Sequence, residues 1–380
     1  MKTRRLILLY VVTIAVGILL PLLALESIMH LLPVSDTANT QPVTPNNPVI
    51  HYMPNQDITF SRGWNFSISN VKHINNYGYM SDYDYDPALP EDSPLLAIIG
   101  DSYVEAAQVE NCKSMHGLLA SRFEGKGRIY ALGYSGAPLS QYLAFAEFAR
   151  KEFRPDSMVF VIIDNDFDES LLKYKSAPGF HYFTTNPDGM MELTLVNYGA
   201  KSFVRQIAKR SALIRYLVLT VGVDPEAVSR ILTLDKPAGN PRFAGYARAH
   251  AEDERLRDSR AAVDMFFAEL PNRSGLSPSE ILLVVDGMRP GLYTSDGLTI
   301  AKGSFSGSMR DYFLDQALAL GYQIIDMQPV FEAHYRRHKK RFEFPIDAHW
   351  NELGHKLVAD QIEQNAAFRR LFSVSTDSRT

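Results

Sequence analysis

The sequence predicts a doubly wound α/β domain behind one membrane-spanning helix. Three observations point there: a twenty-residue uncharged run near the N-terminus, five short, mainly apolar runs, and helical patterns between those runs. Strands apolar on both faces and alternating with helices indicate a parallel sheet covered on both sides.

The first element is the apolar run. MKTRR is followed by Leu6 to Leu25, twenty uncharged residues, about the length needed to cross a hydrocarbon core of roughly 30 Å. Lys2, Arg4 and Arg5 flank one end, so the positive-inside bias keeps the N-terminus cytoplasmic and exports the remainder. The run is longer than the apolar region of a signal peptide, and LALESIMH is a poor cleavage site, so residues 1–32 read as a retained single-pass anchor in the inner (cytoplasmic) membrane. Residues 33–50, PVSDTANTQPVTPNNPVI, are rich in Pro, Thr and Asn and predict a flexible linker.

The exported domain is expected over 51–370, with a tail at 371–380. Its strands are predicted at LLAIIG (95–100), RIYALG (128–133), SMVFVIID (157–164), EILLVVDG (280–287) and YQIIDM (322–327). Helices are predicted at 140–153, 309–321 and 351–364. More than 110 residues separate the third and fourth strands, far beyond an ordinary crossover. This stretch, about 168–279, reads as a largely helical insert or cap, notably over 202–222 and 245–270.

Composition narrows the classes. With 380 residues, 46% hydrophobic and 22% charged, the chain is able to build a sizeable core. Its net charge of -4, without a basic domain, argues against nucleic acid as a partner. Cys112 is the only cysteine, so the chain contains no internal disulfide.

In open α/β sheets ligands bind beyond the carboxyl ends of the strands, and four such places carry chemistry. At Gly100-Asp101-Ser102 the serine is either a nucleophile in the first turn of a helix or, with Asp101, a helix cap. In ALGYSGAP, Gly136 either offers an unobstructed backbone N–H or makes a simple turn. In IIDNDFDE, Asn165 can donate its amide to developing negative charge. The carboxylates around it suit a hard cation but lack the spacing of a calcium loop, so neither metal nor other cofactor is expected. In FPIDAHWNELGHKL, His349 is a general base candidate, Asp347 can orient its ring, and His355 reads as a helix-packing residue.

Together these blocks resemble the SGNH, or GDSL-like, hydrolase family, whose name lists Ser, Gly, Asn and His in four separated blocks. GDSY, YSGAP, DNDF and DAHWNELGH occur in that order and context, NNYGYMSDYDY (75–85) is similar to a lead-in of many bacterial members, and the likeness covers roughly residues 70–365. It implies a metal-free serine esterase or O-acyltransferase of flavodoxin-like topology. On that resemblance Ser102 is the nucleophile. Its own N–H, the Gly136 N–H and the Asn165 amide form the oxyanion hole, and His349 is the base, oriented by Asp347. Here the Asp stands two residues before the His, where three is commoner. The expected substrate is an O-acylated, chiefly acetylated, glycan or small ester in the periplasmic or extracellular space. A sugar hydroxyl in place of water as acceptor makes the same residues an O-acetyltransferase, with polysaccharide-modification partners.

Two other readings remain. Ser135 in GYSGA, with Asp286 and His349, follows the Ser, Asp, His order of α/β-hydrolases, although Ala137 replaces the second glycine of the elbow. Alternatively the chain is a non-catalytic glycan-binding or assembly subunit, using its aromatic residues and the basic run HYRRHKKR (334–341).

Overall fold

The computed structural model describes residues 2–88, 93–198, 209–223 and 253–373. They belong to two compact units. One comprises Met1–Ala38, Ile58–Val71 and Ala200–Gly239, and the other Asn39–Asp57, Lys72–Gly199 and Asn240–Thr380.

In chain order the elements begin with helix α1 (Lys2–Met29) and the paired strands β1 (Gln56–Arg62) and β2 (Ile68–Ile74). They continue through β3 (Leu95–Gly100), α2 (Ser102–Glu105), α3 (Met115–Arg122), β4 (Arg128–Gly133), α4 (Leu139–Glu152) and β5 (Ser157–Ile162). The insert contributes β6 (His181–Thr185), β7 (Met191–Leu195), α5 (Ala212–Arg215) and α6 (Asp253–Ser274). After β8 (Ile281–Val285) come α7 (Gly297–Lys302), α8 (Phe305–Ala319), β9 (Gln323–Asp326) and α9 (Met327–His338). The short pair β10 (Glu343–Phe344) and β11 (Asp347–Trp350) precedes α10 (Glu352–Gln364) and α11 (Ala366–Ser373).

The second unit is built on a parallel five-stranded sheet in the order β4-β3-β5-β8-β9. Renumbered within the sheet this is 2-1-3-4-5, the flavodoxin-like order. Side chains alternate across each strand, so Leu95, Ala97 and Ile99 enter one core while Leu96 and Ile98 enter the other. The first core is closed by α4, α6 and α8, through residues such as Phe145, Phe266 and Phe313. The second is closed by α3, α9 and α10, through Leu119, Phe331 and Val358. The five strands fall where the mainly apolar runs predict them: β3, β4, β5 and β8 are buried along almost their whole length, while β9 at the edge is partly exposed and carries Gln323 and Asp326.

The insert is more varied than its sequence suggests. It opens with the antiparallel hairpin β6–β7, in which Tyr182 and Phe183 are buried in the first core. Helix α6 packs with α4 in the helical layer and supplies the crossover into β8. The helical patterns at 202–208 and 245–252 lie outside the described residues, as does the tail from 374 onward.

The Pro, Thr and Asn-rich stretch departs from the expected flexible linker. Val49 and Ile50 are buried in the first core, and Gln41 donates its N–H to His51 O at 2.9 Å. Polar side chains that a free tether would leave in water here close a local turn: Asn47 Nδ2 donates to Pro42 O at 2.8 Å.

In the first unit α1 presents a 26-residue segment, Arg4–Met29, with mean hydropathy 2.8, long and apolar enough to cross a membrane. Ser35, Ser61 and Thr220 form a buried hydroxyl cluster, with Ser35 Oγ donating to Ser61 O at 2.8 Å.

Candidate active site

Parallel register brings three of the four sequence blocks to one edge of the sheet. Gly100 of β3 lies beside Gly133 of β4, and Ile162 of β5 beside Val285 of β8. Ser102, Gly136 and Asn165 therefore follow the carboxyl ends of three neighbouring strands.

The nucleophile candidate sits in a tight turn. Asp101 accepts the Tyr103 N–H at 2.9 Å and caps α2, so capping falls to Asp101 and leaves the Ser102 hydroxyl for another partner. Burial pushes the Asp101 carboxyl up to about 6, against the pull of that N–H and of the His349 ring. Gly133 makes room for the turn: a Cβ there would lie 2.3 Å from Glu105 N.

The partner of Ser102 is His349. His349 Nε2 lies 2.7 Å from Ser102 Oγ, and His349 Nδ1 lies 2.5 Å from Asp347 Oδ1. Asp347 also accepts the His349 backbone N–H at 3.0 Å. The two-residue spacing works because both stand on β11, where residues i and i+2 share a face. His349 keeps a quarter of its side chain exposed and Asp347 8%.

A buried ion pair holds this strand. Asp286, at the end of β8, receives Arg289 Nη2 at 2.9 Å and the Trp350 indole N–H at 3.1 Å. Arg289, 2% exposed, also donates to Ala348 O at 3.0 Å. Tyr103 packs its ring 4.9 Å from that of His349. These commitments remove Asp286 from the rival arrangement, and Ser135 lies in an exposed turn while His349 bonds Ser102. His355 is buried, accepts the Met115 N–H at 3.3 Å and packs edge-on against Trp350, as a helix-packing residue does. Burial drives its pKa well down, so it stays neutral.

Gly136 has φ +80°, a left-handed conformation suited to glycine, and its carbonyl accepts from Lys175 Nζ at 2.8 Å. Asn165 donates its amide to Glu169 Oε2 at 3.0 Å, and Lys175 pairs with the same carboxylate. The other acids of this block also have partners. Asp166 accepts from Ile163 N–H and Tyr142 OH, and Asp168 pairs with Arg255.

Sequence reasoning passed over the support beneath the turn. Glu105, 5% exposed, accepts from Tyr52 OH, and burial raises its carboxyl to about 7. Lys72, fully buried, donates to Ala106 O at 2.9 Å and Val109 O at 2.7 Å, and burial lowers its pKa to about 7. The available signal was a Glu three residues after the serine in an otherwise apolar stretch. A cavity beside Tyr103, lined by Asp164, Met288, Arg289, Ser306 and Arg310, completes the neighbourhood.

Fold and site together define a flavodoxin-like α/β domain with a hydrogen-bonded Ser-His-Asp array at the carboxyl edge of its sheet. No family model matches the chain, and no curated protein sequence does. Among solved structures, an α/β hydrolase, LAE5, from the metagenome of Lake Arreo, Spain, is similar at 14% identity and TM-score 0.38, covering 73% of this chain and 94% of its own. An acetyl xylan esterase, AlAXEase, is similar at 11% identity and TM-score 0.34, covering 70% of this chain and 97% of its own. A member of the lipolytic G-D-S-L family from Veillonella parvula is similar at 10% identity and TM-score 0.34, covering 71% of this chain and 96% of its own.

Proposed function

We propose that the chain is a membrane-anchored, extracytoplasmic serine esterase of the SGNH type that cleaves O-acyl, chiefly acetyl, esters of a glycan or small molecule. The observation that carries this reading is His349, bonded through Nε2 to Ser102 Oγ at 2.7 Å and through Nδ1 to Asp347 at 2.5 Å. A serine hydroxyl is a weak nucleophile until a base takes its proton, and this contact supplies the base.

Ser102 Oγ attacks the ester carbonyl carbon as His349 Nε2 takes the hydroxyl proton. Asp347 holds the ring by accepting from Nδ1–H and stabilises the imidazolium that forms. The negative charge on the carbonyl oxygen is received by the N–H groups of Ser102 and Gly136 and by the Asn165 amide, which turns from Glu169 when substrate binds. Collapse breaks the ester C–O bond, and the leaving alkoxide takes the proton from His349. Water, deprotonated by His349, then releases the acyl group from Ser102. A sugar hydroxyl in the place of that water yields transfer by the same steps. Residues 51–370 form the catalytic domain, 1–32 anchor it in the inner membrane, and the N-terminus stays cytoplasmic.

The test uses full-length protein in nanodiscs with a chromogenic acetyl ester and a fluorophosphonate probe. Ser102→Ala is expected to lower kcat/KM more than ~10³-fold and abolish labelling, while Ser135→Ala leaves both intact. Labelling or turnover surviving in Ser102→Ala overturns the assignment, and a folded wild-type protein inert to both favours a binding role.

A further inference from the structure

The first unit carries an apolar surface that the catalytic reading does not use. Its position follows from Glu26. The uncharged run Leu6 to Leu25 has twenty residues, which at about 1.5 Å each spans a bilayer core, and Glu26 is the first ionisable residue beyond it. Glu26 therefore stands at the lipid–water boundary.

That carboxylate ties down the segment that opens α5. Glu26 accepts from Ser211 Oγ at 2.7 Å, from the Ala212 N–H at 2.7 Å and from the Leu213 N–H at 3.0 Å, closing the orphan donors at the start of α5. Arg215 is tied to Asp36 at 2.7 Å and to Ser35 O at 2.9 Å. The β1–β2 connection is fastened to the same segment: Gly63 N donates to Thr220 O at 2.8 Å, Arg62 to Leu219 O at 2.8 Å, and Tyr216 OH to Trp64 O at 2.7 Å. The backbone groups of this patch are thus largely satisfied from within, as a lipid-facing surface requires.

What this scaffold presents outward is apolar and aromatic. Trp64 is 74% exposed, and Ile214, Leu217 and Val221 stand exposed along 212–221, an apolar helical stretch. Leu31 and Leu32 continue the exposed apolar surface from the end of α1, and Lys209 and Arg210 flank it with positive charge. Exposed tryptophan at the headgroup level and lysine or arginine beside an apolar helix are the marks of an interfacial element.

We propose that α5, the turn that follows it and the Trp64 loop form a foot that lies in the headgroup layer where α1 leaves the bilayer, with membrane lipid as its partner. The foot rests on the anchoring read under the proposed function. Lipid is the occupant because the covalent span delivers this surface to the interface and its apolar face continues that of α1.

The chain has two tryptophans, Trp64 and the fully buried Trp350, so the fluorescence difference between wild type and Trp64→Phe reports Trp64 alone. The full chain is reconstituted in phosphatidylcholine–phosphatidylglycerol vesicles whose acyl chains carry bromine either near the headgroup or near the bilayer centre. Shallow bromine is expected to quench the Trp64 component about twofold, and deep bromine much less, with acrylamide largely excluded. Leu217→Ser with Val221→Ser is expected to weaken the shallow quenching. Carbonate extraction separates the two readings: a chain released by carbonate defeats the anchoring itself. A retained chain whose Trp64 is untouched by either lipid defeats only the foot, and shielding from acrylamide without lipid quenching assigns the surface to a protein instead.

Discussion

Tyr103 and Arg289 meet at 2.7 Å, with Arg289 Nη2 donating to the tyrosine hydroxyl, which in turn donates to Ala348 O at 3.1 Å. The residue after Ser102 and the residue before His349 are thereby joined through one buried arginine. Tyr103→Phe removes both bonds while keeping the ring against His349. We expect kcat to fall about 10- to 100-fold with KM little changed, because small misplacements of catalytic groups are costly; steady-state kinetics on an acetyl ester checks this.

Two aspartates near the histidine strand are expected to fail in different ways. Asp347→Asn leaves the fold intact but replaces the carboxylate at His349 Nδ1 with a neutral amide, which allows the wrong ring tautomer and leaves the imidazolium without its counter-charge, costing roughly 10⁴-fold in kcat. Asp286→Asn breaks the buried pair with Arg289 and destabilises the domain by about 3–5 kcal/mol. Thermal melts beside activity per folded molecule separate the two, and the reverse pattern revives the arrangement built on Asp286.

Asn165 offers a test of charge development. Asn165→Ala is expected to lower kcat about 10²- to 10³-fold with KM nearly unchanged, since the amide is proposed to act in the transition state. An equal loss in KM instead makes Asn165 a ground-state binder.

Gly133→Ala is predicted to be worse than its size suggests. The new methyl meets Glu105 N at 2.3 Å and Val104 C at 2.7 Å, both backbone atoms of the turn that carries Ser102. Overpacking of this kind costs about 1–3 kcal/mol, and the displaced turn separates Ser102 from His349. Circular dichroism melts and fluorophosphonate labelling rates read the two effects.

Glu105 makes stability depend on pH. Its carboxyl titrates near 4.5 when unburied and near 7 in the folded chain. Between those values the folded protein keeps a proton that the unfolded chain has released, so stability is full below about 4.5 and declines as pH rises towards 7. The contribution amounts to at most about 3 kcal/mol. Denaturant titrations across that window are expected to show the decline in wild type and a shallower one in Glu105→Gln, where Asp101 and Asp164, both raised to about 6 by burial, still contribute over the lower part of the range.

Much of this was legible in the residues themselves. Four of the five strands announce themselves because burial on both faces leaves few polar positions, and α1 because its apolar run is long enough to cross a membrane. Asp101 and Ser102 were separable in role only after the cap was seen to be Asp101, since both residue types close helix ends equally well. The 33–50 stretch was misleading, because composition reports the polarity of side chains and not the turn that Asn47 and Pro42 close. Glu105 and Lys72 stayed hidden for a related reason: a buried charge looks like a surface charge until its partners are known.

The sequence alone determined the fold class, the order of the four blocks and the apolar run, since each depends on local pattern and periodicity. Only the tertiary structure decided that His349 reaches Ser102 rather than Ser135, that Asp347 and not Asp286 holds its ring, and that the Asn165 amide faces Glu169. The first choice joins elements distant along the chain, the turn after β3 and strand β11, and that packing leaves no periodic trace in the residues; the other two are contacts of two and four residues' separation, whose side-chain directions are fixed once β11 and the loop after β5 are in place.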